Sequence, residues 1–416
     1  MFYLGIDQHA KQLTINLRDA EGNAILRRQV STRPEKVLEF FEQLTARCAK
    51  SNCGFWSIVE VCGFSDWLIE MLRNFRCARI VLVQPEDSSR RKTDKRDAAK
   101  LSEMLWMFRN RIESGEPINN LKIISIPNSI QQQQRRLTNL RRDTKAAHTK
   151  SINRIKHVLR RHNLQQAMPT KTFPTKAALA WLGTIKLPMA DMLELKLATE
   201  DLELHSKRVA ELDAAIAEIS VDDEDAQLIM KTCGFGLFSA VALSSRIAGI
   251  ERFKRPRSLA NYFGLTPGSR SSGDKERLGH ITKAGSGMAR WVLGQASKHI
   301  LRTDPAMRAW FKKIKRKKGG GVARVAVMRR MATILWHMLT KRKTTPKCGT
   351  WASAWLHDTS SLGLFRMGRP SLASPSLRPQ VLAQAEATAT RNGLTQRYFN
   401  FNNIKSNWSS VLSQIM

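Results

Sequence analysis

"FYLGIDQHAKQLTINLRDAEGNAILRRQV", residues 2–30, breaks into three β-rich runs, FYLGID, QLTINLRD and NAILRRQV, separated only by short polar turns. No helical pattern intervenes between them. Downstream come a helical pattern over 34–49, the run WSIVEV, a helix over 64–74, the run ARIVLVQ and a helix starting near Thr93. Three strands in a meander followed by strand, helix, strand and helix is the order of an RNase H-like α/β fold, whereas a doubly wound nucleotide fold places a helix after its first strand. Gly-rich phosphate loops of nucleotide enzymes are absent.

The charge is lopsided: 69 Lys and Arg against 35 Asp and Glu leave +34 on 416 residues. Such an excess repels itself unless a polyanion is the partner, and nucleic acid is the expected one. Ten cations fall within 129–162, Arg135, Arg136, Arg141 and Arg142 first among them, against Asp143 alone. No aromatic residue lies among them, which suits contacts to backbone phosphates and A-form RNA better than stacking on single-stranded bases. A peripheral membrane protein would instead confine its charge to one basic amphipathic helix. No apolar run of about 18 residues occurs and the N-terminus lacks signal-peptide regions, so a cytoplasmic, nucleoid-associated protein is expected. The six cysteines show no CxxC pair and read as reduced packing residues.

Four regions are expected. Residues 1–125 form the α/β domain, and 126–222 a helical arm in which Leu195, Leu202, Val209 and Ile216 repeat every seven residues. The companion seam positions Thr199, Ser206 and Asp213 are polar, consistent with a helical hairpin or short coiled coil. Pro188 and the MPTKTFPTK stretch divide this arm in two. Residues 223–343 form a mainly helical domain opening on CGFGLFSAVAL, where Gly234 and Gly236 precede an apolar helix; this reads as a helix-hairpin-helix phosphate contact or as an ordinary turn. Residues 344–416, rich in Ser, Pro and Thr, are expected to be a poorly ordered tail.

Four carboxylates stand out. Asp7 closes the first strand, Glu60 ends the fourth, and KTDKRDAAKL supplies Asp94 and Asp97 on one helical face. Singly, Asp94 and Asp97 read as a helix cap and first-turn acid, and Glu60 as a strand-end surface residue. Together, if the first and fourth strands are adjacent and the helix crosses beside them, they form a cluster that a hard divalent cation would neutralise, Mg²⁺ or Mn²⁺. Far downstream, FGLTPGSRSSGDKERLGHITKAG, residues 263–285, reads as a loop between two helices. Its Ser272, or Ser271 beside it, is a candidate nucleophile among Arg270, Lys275, Arg277, His280, Lys283 and Arg290; the plainer reading is a DNA-contacting turn.

GID with Asp7, VEVCG with Glu60, KTDKRDAAKL and SSGDKERLGHITKAG, in this order, resemble the DEDD-type transposases of bacterial insertion sequences, the IS110 family, with the last motif closest to its IS1111 branch. The resemblance covers roughly residues 1–343. It implies a RuvC-like N-terminal domain whose Asp7, Glu60, Asp94 and Asp97 hold metal, a coiled-coil arm, and a C-terminal transposase domain with Ser272 as nucleophile. It further implies double-stranded donor and target DNA, a structured noncoding guide RNA encoded by the element, and a homo-oligomer, dimer to tetramer, in which serine and acids can come from different protomers. The region after about Thr344 departs from the family pattern. A metal-dependent nuclease resembling a Holliday-junction resolvase, with water as nucleophile, and an inactive nucleic-acid-binding relic are the alternatives.

Overall fold

The computed structural model describes residues 1–84, 94–116, 118, 121–272 and 275–342, with the side chains of 94–96 and 269–278 outside the description. The expected tail, 344–416, lies outside the described residues. The chain divides into two compact units between Ile126 and Pro127.

The first unit is mixed α/β. Its elements are β1 (Phe2–Gln8), β2 (Gln12–Arg18), β3 (Ala24–Ser31), α1 (Pro34–Lys50), β4 (Phe55–Glu60), α2 (Asp66–Asn74), β5 (Arg79–Val83), α3 (Asp94–Met107), α4 (Arg109–Ser114) and β6 (Ile123–Ile124). The sheet order is β3-β2-β1-β4-β5-β6. β1 pairs antiparallel with β2 and parallel with β4, so the first and fourth strands do lie side by side.

Both sheet faces are covered, which is why β1 is buried along its whole length. Leu4, Ile6 and Val59 pack on one face against Phe40, Phe41 and Leu44 of α1 and Leu68 and Leu72 of α2. α1 earns its place through Val37, Phe40, Phe41, Leu44 and Cys48, an i, i+3, i+4, i+7, i+11 stripe behind a proline in its first turn. On the other face Tyr3, Trp56, Ile58, Val81 and Val83 meet Leu101 and Leu105 of α3 and Ile112 of α4. β3 forms an edge, and its exposed Arg27, Arg28 and Gln29 discourage further pairing. The two-residue β6, antiparallel to β5, was not expected; two residues carry no readable period.

The second unit is mostly helical: α5 (Ser129–Arg161), α6 (Lys176–Leu182), α7 (Met189–Ile219), α8 (Glu224–Met230), α9 (Leu237–Ile247), α10 (Pro256–Tyr262), β7 (Pro267–Ser272), β8 (Lys275–Ile281), α11 (Gly287–Thr303) and α12 (Pro305–Lys341). α5 starts on a reciprocal capping box between Asn128 and Gln131, and α7 starts after Pro188. The two run antiparallel: Arg154 of α5 meets Glu194 at the start of α7, while Arg141 meets Asp213 near its end.

The polar seam positions of α7 are locally satisfied. Thr199 and Ser206 donate to the carbonyls of Leu195 and Leu202 one turn back, 2.8 Å in each case, and Asp213 accepts from Arg141. Ala198, Ala210 and Ala217 are buried with Leu195, Leu202 and Ile216, while Val209 is only half-buried. A larger core gathers α8 to α12, with Phe263, Leu293, Val327 and Leu335 at its centre. α12 is broken at Gly319, whose φ of 83° and ψ of 166° are not helical. No described helix is long and apolar enough to cross a membrane.

Candidate active site and nucleic-acid interface

The acidic edge of the first unit follows from strand parity. Tyr3, Gly5 and Asp7 share one face of β1, and Trp56, Ile58 and Glu60 share the same face of β4, because successive side chains alternate. The parallel register runs to Ile6 opposite Val59, so Asp7 and Glu60 are the next residue on each of two neighbouring strands. Asp7 is nearly buried and Glu60 half-buried.

α3 lies across that face, and Gly5 is what admits it. A Cβ on Gly5 would stand 2.4 Å from the Ala98 carbonyl oxygen and 2.5 Å from the Ser102 nitrogen. From there α3 runs toward the β2–β3 turn: Ser102 donates to Asn16 Oδ1 at 2.7 Å, and Trp106 Nε1 donates to the Ala20 carbonyl at 3.0 Å. The helix is therefore antiparallel to β1. Its first turn, with Asp94 and the half-buried Asp97, points back toward the strand ends that carry Asp7 and Glu60.

The side chain of Asp94 lies outside the described residues. Among the described side chains, no three acids, histidines or cysteines gather closely enough to hold an ion by themselves. The donor set fits a hard cation in kind, being carboxylate oxygens at a covered sheet end. One residue here escaped the sequence reading. His9 Nε2 lies 3.1 Å from Asp7 Oδ2, and the spacing Asp-x-His on a strand end was the available signal.

The stretch 263–285, expected as a loop, is instead a β-hairpin. β7 and β8 pair with Ser271 opposite Glu276 and Ser272 opposite Lys275, which leaves two residues between the strands. Ser272 is thus the last strand residue before the tip. Its side chain and those of Ser271, Arg270, Lys275 and Arg277 lie outside the described residues. His280 and Lys283 are exposed.

The two ends of the motif close the base of this hairpin. Gly264 (φ +66°) and Gly285 (φ +90°) bring their backbones so close that a Cβ would fall 2.1 Å from the Ala284 oxygen and 2.0 Å from the Tyr262 oxygen, respectively. Arg290 Nη1 donates to the carbonyls of Phe263, Ala284 and Gly285 at 3.0, 3.4 and 3.2 Å, and its partial burial lowers its pKa. That nitrogen ties the hairpin base together.

The basic run of α5 divides in two. Arg141 makes a bidentate pair with Asp213, 2.9 and 3.1 Å, and its guanidinium stacks 4.5 Å from the Phe238 ring centre. Arg154 pairs with Glu194 at 3.1 Å, and Arg161 with Asp191. These cations hold α5 to α7. Arg136 is exposed, Arg142 is half-buried with Asp143 2.8 Å away, and Arg135 Nε donates to the Ser245 carbonyl at 2.8 Å.

Residues 4–164 match the profile of a DEDD transposase of the IS110 type, and residues 226–312 match that of the Transposase IS116/IS110/IS902 family. The chain is similar to the transposase for insertion sequence element IS1111A of Coxiella burnetii, 26% identical over 62% of this chain and 69% of that protein. It is also similar to the "Probable family 20 transposase" of Pseudomonas aeruginosa, 24% identical over 81% of this chain and 96% of that one. The two profiles take in the acidic edge and the serine hairpin alike, and the chain belongs to the IS110 family of insertion-sequence transposases, enzymes that cleave DNA and transfer its strands.

Proposed function

We propose that this transposase cuts and rejoins DNA through a covalent phosphoserine, guided by a structured RNA encoded by its element. The observation that carries the reading is the serine at the end of β7, on a hairpin whose base two glycines and Arg290 hold shut. Ser272 Oγ attacks the scissile phosphorus, a P–O(serine) bond forms, and the P–O bond to the departing strand breaks. The departing oxygen leaves as a DNA hydroxyl, taking up a proton as the serine loses one. Attack of a second strand's hydroxyl on the phosphoserine reverses the exchange and restores the serine, so no nucleotide triphosphate is consumed.

Asp7, Glu60, Asp94 and Asp97 are the residues that would hold a divalent cation, Mg²⁺ or Mn²⁺, in a RuvC-like domain. When bound, such an ion would neutralise charge on the scissile phosphate and favour the serine alkoxide. His9, beside Asp7, keeps that carboxylate oriented. The exposed Arg136, His280 and Lys283, with the cations of the hairpin tip, suit backbone phosphates of DNA and guide RNA, and synapsis of two duplexes calls for a homo-oligomer.

Incubation with a nicked suicide substrate, read on denaturing gels, tests this. Wild type should form a protein–DNA adduct that Ser272→Ala abolishes while DNA binding persists. An adduct lost only in Ser271→Ala would move the nucleophile by one residue. Metal-dependent cutting by wild type with no adduct at all would replace the phosphoserine with a water nucleophile, as in a junction resolvase.

A further inference from the structure

A second cluster of cations lies within the second unit, apart from the ion pairs that join α5 to α7, although its Arg142 also meets Asp143 at 2.8 Å. Arg135 and Arg142, two turns apart on α5, and Arg246 at the end of α9 line an open cavity of about 380 Å³. Arg246 is only 5% exposed. Its guanidinium donates to Thr138 Oγ1 (3.1 Å), the Ala242 carbonyl (2.9 Å), Ser245 Oγ (3.3 Å) and Asn139 Oδ1 (2.8 Å), all neutral oxygens. Burial, then the neighbouring Arg135 and Arg142, push its pKa down to about 10, so it remains a cation at neutral pH. A buried charge that meets only neutral partners is costly, and an anion entering from the cavity would offset that cost.

The opposite wall supplies donors of the same sign. Ser286 caps α11, its Oγ accepting from the Ala289 amide at 3.2 Å, and the Arg290 amide donates to the Ser286 carbonyl. Gly287 and Met288, the first two residues of α11, line the cavity, and no hydrogen bond of their amides is found among the described residues. They stand at the positive end of a 17-residue helix, facing three guanidiniums. Tyr262, on the rim, and Ser286 flank Gly264 and Gly285, so the cavity adjoins the base of the serine hairpin.

We infer that this cavity seats one phosphodiester of a bound nucleic-acid strand and so fixes that strand at the hairpin base. The assignment of the strand's purpose rests on the reading of Ser272 as nucleophile. Five strand steps separate Pro267 from Ser272, about 17 Å at ~3.4 Å per residue. The seat therefore sets which phosphate along the strand reaches the hairpin tip.

Asn139→Asp tests the seat with little disturbance, since Asn139 is exposed and the change places a carboxylate beside Arg246. Arg142→Gln, which removes a rim cation, is the second variant. Binding of the full chain to labelled single-stranded RNA and to DNA of the same sequence is measured across a salt series. Each variant should flatten the plot of log affinity against log salt by roughly 0.7 to 0.9, one phosphate contact. Inorganic phosphate should raise the melting temperature of wild type above that in chloride of equal ionic strength, and do so less in Asn139→Asp. Flattening with one strand type only would identify the source of the phosphate. Wild-type slopes for both variants on both strands would overturn the seat. Because these readouts need no catalysis, a wild type that binds with the expected slope but forms no serine adduct would strike only the nucleophile reading.

Discussion

Replacing Gly5 by alanine tests whether the crossing of α3 over β1 positions the acids. The added Cβ would lie 2.4 Å from the Ala98 oxygen and 2.5 Å from the Ser102 nitrogen, where ordinary contact begins near 3.4 Å. Both atoms are backbone, so no side chain can turn aside. The helix must withdraw by about 1 Å, against the hold of Ser102 on Asn16 and of Leu101 and Leu105 in their core. Overpacking of this kind costs about 1–3 kcal/mol, a drop in melting temperature of roughly 4–12 °C. Asp94 and Asp97 ride on the displaced helix while Asp7 stays on the strand two residues beyond the substitution. A misplacement of about 1 Å at reacting groups costs on the order of 100-fold in rate. Gly5→Ala should therefore bind DNA as wild type does, cleave it roughly 100-fold more slowly, and need more Mg²⁺ for half-maximal rate. Calorimetry and a cleavage time course over a Mg²⁺ series measure all three. A variant that melts early yet cleaves at the wild-type rate would refute the claim that α3 sets the acid geometry.

Two further outcomes follow from the hairpin base and the helical arm. Gly285→Ala, at φ +90° with its Cβ 2.0 Å from the Tyr262 oxygen, should lose about 1–3 kcal/mol in urea unfolding and most of its adduct yield; Gly279→Ala, whose Cβ would sit 3.5 Å from the Gly268 oxygen, should lose neither. Equal behaviour of the two would count against the clamp. His148 is buried, and desolvation, then Lys145 and His205, hold its pKa below the ordinary value. The unfolded chain takes up a proton near pH 6.5 that the folded one refuses. This contribution to stability is complete above about pH 6.5 and declines as the pH falls toward the lower folded value. His148→Gln should lose less stability than wild type between pH 7.5 and 5.5, and parallel urea curves for the two would refute it.

The first unit was readable because its signals are local. Each strand of the meander is a short β-rich run bounded by polar turns, and Asp7 and Glu60 declare themselves at the ends of such runs. Their shared face follows from counting by twos once the strands are paired. The hairpin was not readable. PGSRSS offers no apolar alternation, and its closure depends on Gly264 meeting Ala284 and Gly285 meeting Tyr262, contacts some twenty residues apart. Counted alone, residues 129–162 oppose ten cations with one acid; the acids that answer Arg141, Arg154 and Arg161 stand on α7. Arg290 illustrates the same limit, since nothing in its own neighbourhood of sequence reveals the Phe263 carbonyl, 27 residues back, that it binds.

The continuity of α5 has a mechanical consequence. It runs unbroken from Ser129 to Arg161, with α9 beside its first half and α7 alongside it from Arg141 to Arg161, and no interior residue departs from helical geometry. From Arg142 to Arg161 that is a stiff lever of about 28 Å, so a tilt of about 10° at the arginines sweeps the distal end through roughly 5 Å. A nucleic-acid strand that shifted the helix at the arginines would thereby displace the far tip of the arm, with no hinge between them to absorb the motion.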